Sequence, residues 1–313
     1  MTKIISTIRD LKQAKDYLEA GSTALRLNSS HMEVKELINL LKEYSRNFNG
    51  KTLYIDLMGQ NPRLGSSQKE LLLRPGQQVR LTADASESDD ALLLESSDFL
   101  KGLSSGSKIS IDDGKIMLEV VSVSEEEAQL RVLRGGTALP RKSIVSSTGF
   151  SFYEGLTKKD TEVVLQTRQF KFVRYALSYV AFPSQMRNLR KLAQRPVAAK
   201  IELPLSLKDL KQIAQESDEI WFCRGDLGAQ LSGKELAQYY RSFVGAMKEW
   251  RVPVYIAGQV LEHMVEHPQP TRSEVCHLAD LMAHGFTGVV LSNETVDGKF
   301  PLEAIKVVKE LAE

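Results

Sequence analysis

The strongest constraint on this chain is a repeated switch of apolar period, from two to about 3.6 and back, broken once by a long stretch that lacks it. Short alternating runs read as strands, and runs with i, i+3, i+4 spacing read as helices. Before the break, Lys3–Ile8, Thr23–Leu27 and Thr52–Leu57 carry the strand pattern. Asp10–Ala20, stopped by Gly21, and Glu33–Ser45 carry the helical one,. After about Thr157 the predicted strands are Val173–Val180, Val197–Glu202, Glu219–Arg224, Pro253–Ala257 and Gly288–Ser292. The predicted helices are Lys159–Arg168, Ser184–Ala193, Ser206–Glu216, Gly233–Trp250, Ser273–His284 and Pro301–Leu311. Three strands before the break and five after it make eight βα units. The expectation is an α/β protein, a closed (β/α)8 TIM barrel built from residues 1–62 and 149–313,.

Residues 63–148 interrupt that barrel after its third strand. They hold short β-like runs, a serine- and acid-rich tract at 86–90, and a tight-turn signal at Asp112–Asp113–Gly114. The flanks Lys108–Ile111 and Lys115–Val121 alternate as a hairpin would,. A separate β-rich insert is expected.

In a parallel barrel the chemistry sits at the C-terminal strand ends. Arg26, Asn28, Asp56, Ser178, Lys200, Glu202, Asp226, Gly258 and Ser292 all fall at such ends. Glu202 and Asp226 could offer carboxylates to one cation, and two carboxylates with open positions suit Mg²⁺ or Mn²⁺. A structural ion pair near the rim is the plain alternative. Lys200 lies two residues before Glu202 and so on the same side of its strand. It can neutralise charge on a phosphoryl group or an enolate. Arg26 can hold phosphate or carboxylate bidentately. Asn28, Ser30 and Asp56 could give oxygens to a monovalent cation, and His31 follows them. Equally, Ser29–Ser30 could cap the next helix. Gly225 and Gly228 bracket Asp226, which fits either a close backbone approach to an anion or a plain turn,. Arg63 and Arg141–Lys142 stand at the edges of the insert, as nucleotide-phosphate ligands or as solvated charges. His263-Met-Val-Glu266-His267 matches a zinc-protease pattern, but Pro268 ends the segment at once and no convincing third ligand follows.

Composition narrows the partners. A formal charge of +1 gives no reason to expect nucleic acid or an anionic membrane,. No apolar run approaches the roughly 18 residues of a membrane span, and MTKIISTIRD lacks the apolar core of a signal peptide,. The two cysteines, Cys223 and Cys276, have no metal spacing, so a reduced, cytoplasmic protein is expected,.

Taken together, TKIISTI, TALRLNSSH, YIDLMGQNPR, SGSKISIDDGKI, AAKIE, CRGDLG, IAGQVLE, PQPTRSE and LSNETVDGKFPLEA resemble the pyruvate kinase family over nearly the whole chain. The resemblance implies a catalytic barrel with an inserted small β-barrel lid domain. It implies that Arg26 holds the phosphoryl group of phosphoenolpyruvate and that Lys200 stabilises the transition state of transfer to ADP. It gives Glu202 and Asp226 to Mg²⁺ or Mn²⁺. It gives Asn28, Ser30, Asp56 and the Leu57 carbonyl to K⁺. Backbone at Gly225 and Asp226 would meet the substrate carboxylate, and Arg63 and Lys142, with Asn28 nearby, the nucleotide phosphates. The family's C-terminal regulatory domain is expected to be absent, since the chain stops at VVKELAE. A homodimer through the barrel fits the resemblance.

The chain departs from the family pattern around one pocket. Gly258 stands where the family has a threonine, Met58 where it has a lysine, Leu203 where asparagine is common, and Ala181 where it has an arginine. ISTIRDLK lacks the family's Gly-Pro turn. Loss of a hydroxyl at Gly258 would weaken contact with the substrate, and glycine would open space for a bulkier 2-oxo acid. The expected function is phosphoryl transfer between phosphoenolpyruvate, or a related enol phosphate, and ADP. The alternatives are a metal-dependent lyase or aldolase working through a pyruvate enolate, and a non-catalytic barrel that binds phosphoenolpyruvate or pyruvate.

Overall fold

The structure is a computed structural model, and it describes residues 2–30, 32–48, 50–60, 62–84, 86, 90–112, 114–146 and 154–312. His31, Asp113 and most of the 86–90 tract lie outside the described residues.

The chain divides into two units. The first, residues 1–60, 154–225 and 239–313, is a closed barrel of parallel strands: β1 (Lys3–Ile8), β2 (Ala24–Asn28), β3 (Thr52–Leu57), β12 (Val173–Leu177), β13 (Val197–Ile201), β14 (Glu219–Cys223), β15 (Val254–Ala257) and β16 (Gly288–Leu291). β1 pairs with both β2 and β16, which closes the ring. The second unit, residues 61–153 and 226–238, contains β4 (Leu71–Leu73), β5 (Gln78–Thr82), β6 (Ala91–Leu93), β7 (Lys108–Ile111), β8 (Ile116–Val123), β9 (Glu127–Arg134), β10 (Gly136–Ala138) and β11 (Ile144–Ser146). Six of these form one curled sheet in the order β11-β7-β8-β9-β5-β6, and β10 pairs with β4. Its apolar core includes Leu81, Phe99, Ile109, Leu118 and Leu130. β7 and β8 form the antiparallel hairpin read from the sequence.

Side-chain alternation explains how the barrel is filled. Tyr54, Trp221 and Tyr255 project inward from β3, β14 and β15, and Ala24, Ala176 and Ala198 face them from β2, β12 and β13. Large residues on three strands are thus matched by alanines on three others. Toward one end of the barrel, Glu219 accepts from the Tyr54 hydroxyl at 2.8 and 2.9 Å and from Arg174 at 2.7 Å. On the outside, Phe222 packs against Phe243 of α7 (Gly233–Met247) with ring centroids 4.3 Å apart.

Boundaries moved in a consistent way. The first helix, α1 (Ala14–Ala20), begins four residues later than expected, because a turn occupies 11–13. Four strands of the second half stop one to three residues early, so Ser178, Glu202, Arg224 and Ser292 lie just beyond the strands rather than in them. The plain-turn reading of RGDLG is corrected: the segment is helix α6 (Arg224–Gln230), which follows β14 directly. Among the described residues no helix is long and apolar enough to cross a membrane.

Candidate active site

One step above the aromatic layer, the same inward alternation brings polar residues together at the C-terminal strand ends. Asp56 on β3 is the hub. Its Oδ2 accepts from Arg26 Nε at 2.8 Å, from Arg26 Nη2, and from Lys200 Nζ at 3.1 Å. Its Oδ1 accepts from the Ser178 hydroxyl at 3.1 Å. Lys200 Nζ also donates to Ser178 Oγ at 2.8 Å and pairs with Glu202 Oε1 at 2.8 Å. Glu202 Oε2 accepts the Tyr179 N–H at 2.8 Å. Arg26 Nη1 reaches Thr7 Oγ1 at 2.9 Å and Ser292 Oγ at 3.2 Å. Asp56, Ser178, Lys200 and Glu202 are buried, and the Arg26 side chain is 12% exposed.

Two cations and two carboxylates balance in this cluster, which is the condition for keeping charges out of water. Burial alone would raise the Asp56 carboxyl, but Lys200 and Arg26 outweigh it and hold it below the ordinary carboxylate range,. Burial pulls Lys200 down, and the charges of Asp56 and Glu202 push it above its usual range. Lys200 is therefore a permanent cation in a fixed position, not a base.

Two neighbouring loops are fixed by contacts that sequence reasoning missed. Asp160, buried at the start of α3 (Lys158–Thr167), accepts the N–H of Met58 and of Gly59, both at 3.0 Å, and the Thr157 hydroxyl at 2.7 Å. Burial raises its pKa, while those hydrogen bonds oppose the shift. Gly59 has φ 63°, and a Cβ there would lie 2.0 Å from the Ser178 carbonyl, so no other residue fits beneath that strand end,. Glu294, also buried, accepts the N–H of Val260, Leu261 and Ser292 at 2.9, 3.0 and 2.8 Å. Lys159 donates to the Ser30 carbonyl at 2.7 Å, adding a cation that the sequence did not single out. The Thr-x-x-Asp spacing at 157–160 was the available signal, since it marks a helix start.

Other expectations fall differently. Ser29 and Ser30 do not cap α2 (Val34–Asn47); Glu33 does. Instead Ser29 Oγ donates to the Asp56 carbonyl at 2.7 Å, and Asn28 Oδ1 accepts the Ser30 N–H at 3.0 Å. A Cβ at Gly258 would meet the Gly225 nitrogen at 3.0 Å and the Arg224 nitrogen at 3.5 Å. Gly258 also has φ 81°, where side-chain-bearing residues are strained,. Glycine thus answers a close backbone approach. Gly225 groups with the barrel unit, whereas Asp226, Arg63 and Lys142 group with the second. There Lys142 pairs with Asp112 at 2.9 Å, and Arg63 Nη1 donates to the Arg141 carbonyl at 2.9 Å. His263 and His267 stack with ring centroids 3.9 Å apart. Among the described residues no three His, Cys, Asp or Glu side chains gather as a metal cage.

Fold and site together define a class: parallel-barrel proteins that carry buried, charge-compensated cations at the C-terminal mouth of the barrel, the end at which such barrels place their chemistry. Comparison with known proteins makes the class specific. Residues 1–305 match the family model described as "Pyruvate kinase, barrel domain", and the chain belongs to the pyruvate kinase family. It is 30% identical to Pyruvate kinase 2 of Synechocystis sp., with all of this chain and 56% of that protein aligned. It is 30% identical to a pyruvate kinase of Thermotoga maritima (99% of this chain, 70% of the relative) and 31% identical to one of Methylorubrum extorquens (100% and 68%). The chain therefore spans just over half the length of the first relative and about two thirds of the other two.

Proposed function

We propose that the barrel carries out phosphoryl transfer between phosphoenolpyruvate, or a related enol phosphate, and ADP. The observation that supports this most is the immobilised Lys200 ammonium, held by Asp56, Ser178 and Glu202 within 3.1 Å. Phosphoryl transfer needs little covalent help; it needs fixed positive charge where the transition state is negative. A cation anchored at three points in a buried site supplies that with little reorganisation. Arg26, oriented by Asp56, Thr7 and Ser292, would bind the phosphoryl oxygens. Backbone at Gly225 and Asp226 would face the substrate carboxylate. Arg63, Lys142 and Asn28 would serve the nucleotide, and Lys142 would have to exchange Asp112 for phosphate.

Glu202 and Asp226 are the proposed ligands for Mg²⁺ or Mn²⁺. Glu202 is a hard oxygen donor of the kind these ions take, and its Oε1 and Oε2, which hold Lys200 and the Tyr179 amide, would have to share their remaining lone pairs with the ion. The ion, when bound, would neutralise phosphate charge. The potassium set of Asn28, Ser30, Asp56 and Leu57 fits less well. Asp56 already holds Arg26, Lys200 and Ser178, and Asn28 holds the Ser30 amide. Cys223 and Cys276 are not joined in a disulfide, which suits the reducing cytoplasm that we propose as its location,.

The test is pyruvate formation by the purified chain, with phosphoenolpyruvate, ADP, Mg²⁺ and K⁺ at high enzyme concentration. ADP-dependent pyruvate release supports the reading. Carbon–carbon cleavage of 2-oxo acids without any nucleotide effect would replace it.

A further inference from the structure

The turn after β15 is held in an unusual shape. Gly258 and Gln259 both have left-handed backbones, φ 81° and 52°. For Gln259, which carries a side chain, that conformation is strained and persists only if neighbours over-determine it. Glu294 fixes the far side through the amides of Val260 and Leu261. Arg224 fixes the near side. Its Nε and Nη2 donate to the Gly258 carbonyl at 3.0 and 2.8 Å, and Nη2 also donates to the Gln259 carbonyl at 2.9 Å.

Behind Arg224 stands a histidine. Arg224 Nη1 lies 2.6 Å from Nε2 of His277, on α8 (Arg272–Ala283). A guanidinium only donates, so His277 must offer the Nε2 lone pair and be neutral, with its proton on Nδ1. We propose that His277 is a positioning residue acting through Arg224: neutral, it holds the guanidinium on the Gly258 and Gln259 carbonyls, and protonated, it releases that turn.

The surroundings favour the neutral form. Burial and the Arg224 charge both lower the His277 pKa from its usual value, against a smaller opposing effect of Asp280 on the same helix,. The other titratable groups facing the pair are Tyr240 of α7, whose ring centroid is 6.4 Å from that of His277, and Glu294, whose charge acts on Arg224. The sign follows from that depression. The neutral contact is complete above the unfolded-state value of about 6.5, and it is lost as pH falls through the lower folded value. Order at Gly258 is therefore tied to protonation through a residue on a different helix.

The test is hydrogen exchange of the Gly258–Leu261 amides between pH 7.5 and 5, as protection factors corrected for the intrinsic pH dependence. Wild type should lose about tenfold or more in protection on the acid side, the worth of a hydrogen bond to a charged group. His277→Asn keeps an acceptor that does not titrate, and its protection should stay flat. His277→Asp, which sets a carboxylate against Arg224, should also stay flat. A wild-type protein with no acid loss overturns the proposal, and so does an equal loss in H277N. This readout needs no substrate, so it stands or fails apart from the kinase reading; only the companion expectation of an acid limb in turnover, absent in H277N, rests on that reading.

Discussion

Asp56→Asn is the most informative single change, because Asp56 carries the charge balance of the strand-end cluster. Asparagine keeps the shape but removes the charge. Arg26 and Lys200 then share one carboxylate, Glu202, in a site where Lys200 is 7% exposed and Asp56 2%. The new amide N–H group also faces donors. Removing one partner of a buried ion pair costs about 3–5 kcal/mol. For a unit of the barrel's size each kcal/mol lowers Tm by about 2–4 °C, so calorimetry at pH 7 should show a drop of about 6–20 °C. The pH dependence sharpens the test. The folded Asp56 pKa lies below its ordinary value, so its stabilisation is fully present above the unfolded-state value and is lost as pH falls through the folded one. The gap between wild type and D56N should be constant from about pH 7 to 5 and narrow below about pH 4. A loss under about 1 kcal/mol, or a gap that does not narrow in acid, would refute the claim that Asp56 is the electrostatic hub.

Three further outcomes are expected. Gly258→Thr, the residue that the resemblance led us to expect, should lower Tm and turnover together, since the backbone there has φ 81° and the new Cβ would meet the Gly225 nitrogen at 3.0 Å; the strain is about 1–3 kcal/mol, and a gain in turnover would contradict it. Asp160→Asn should destabilise by about 1–3 kcal/mol in urea unfolding, with faster exchange of the Met58 and Gly59 amides, the two N–H groups its carboxylate accepts. Thr157→Ala should cost about 1 kcal/mol through the lost cap, because Thr157 accepts the Asp160 N–H at 3.0 Å; an unchanged urea midpoint would count against that role.

The period-two rule explains why so much of the site was legible. Arg26 with Asn28, Tyr54 with Asp56, and Ala198 with Lys200 are two residues apart on their strands, so placing one of each pair inward places the other. What escaped were contacts made by groups whose local sequence looks like surface. Asp160 sits in KKDTE and Glu294 in SNETV, both written like solvated helix starts, yet each is 1% exposed. Their burial comes from loops of distant strands, which no local pattern encodes. The helix at Arg224–Gln230 was hidden by Gly225 and Gly228, poor helix formers that tertiary context overrides. Gly258 was read for a missing hydroxyl, whereas its positive φ and the backbone packed against it appear only in three dimensions.

The central claim is that the Lys200 charge, fixed by Asp56, Ser178 and Glu202, drives phosphoryl transfer. It is tested most directly by following phosphoenolpyruvate and ADP with ³¹P NMR in the presence of Mg²⁺, using wild type and Lys200→Met. The account predicts ATP formation by wild type and a loss of about a hundred- to a thousandfold in K200M, with phosphoenolpyruvate binding retained through Arg26. No ATP from well-folded wild type, or equal rates in the two proteins, would contradict it.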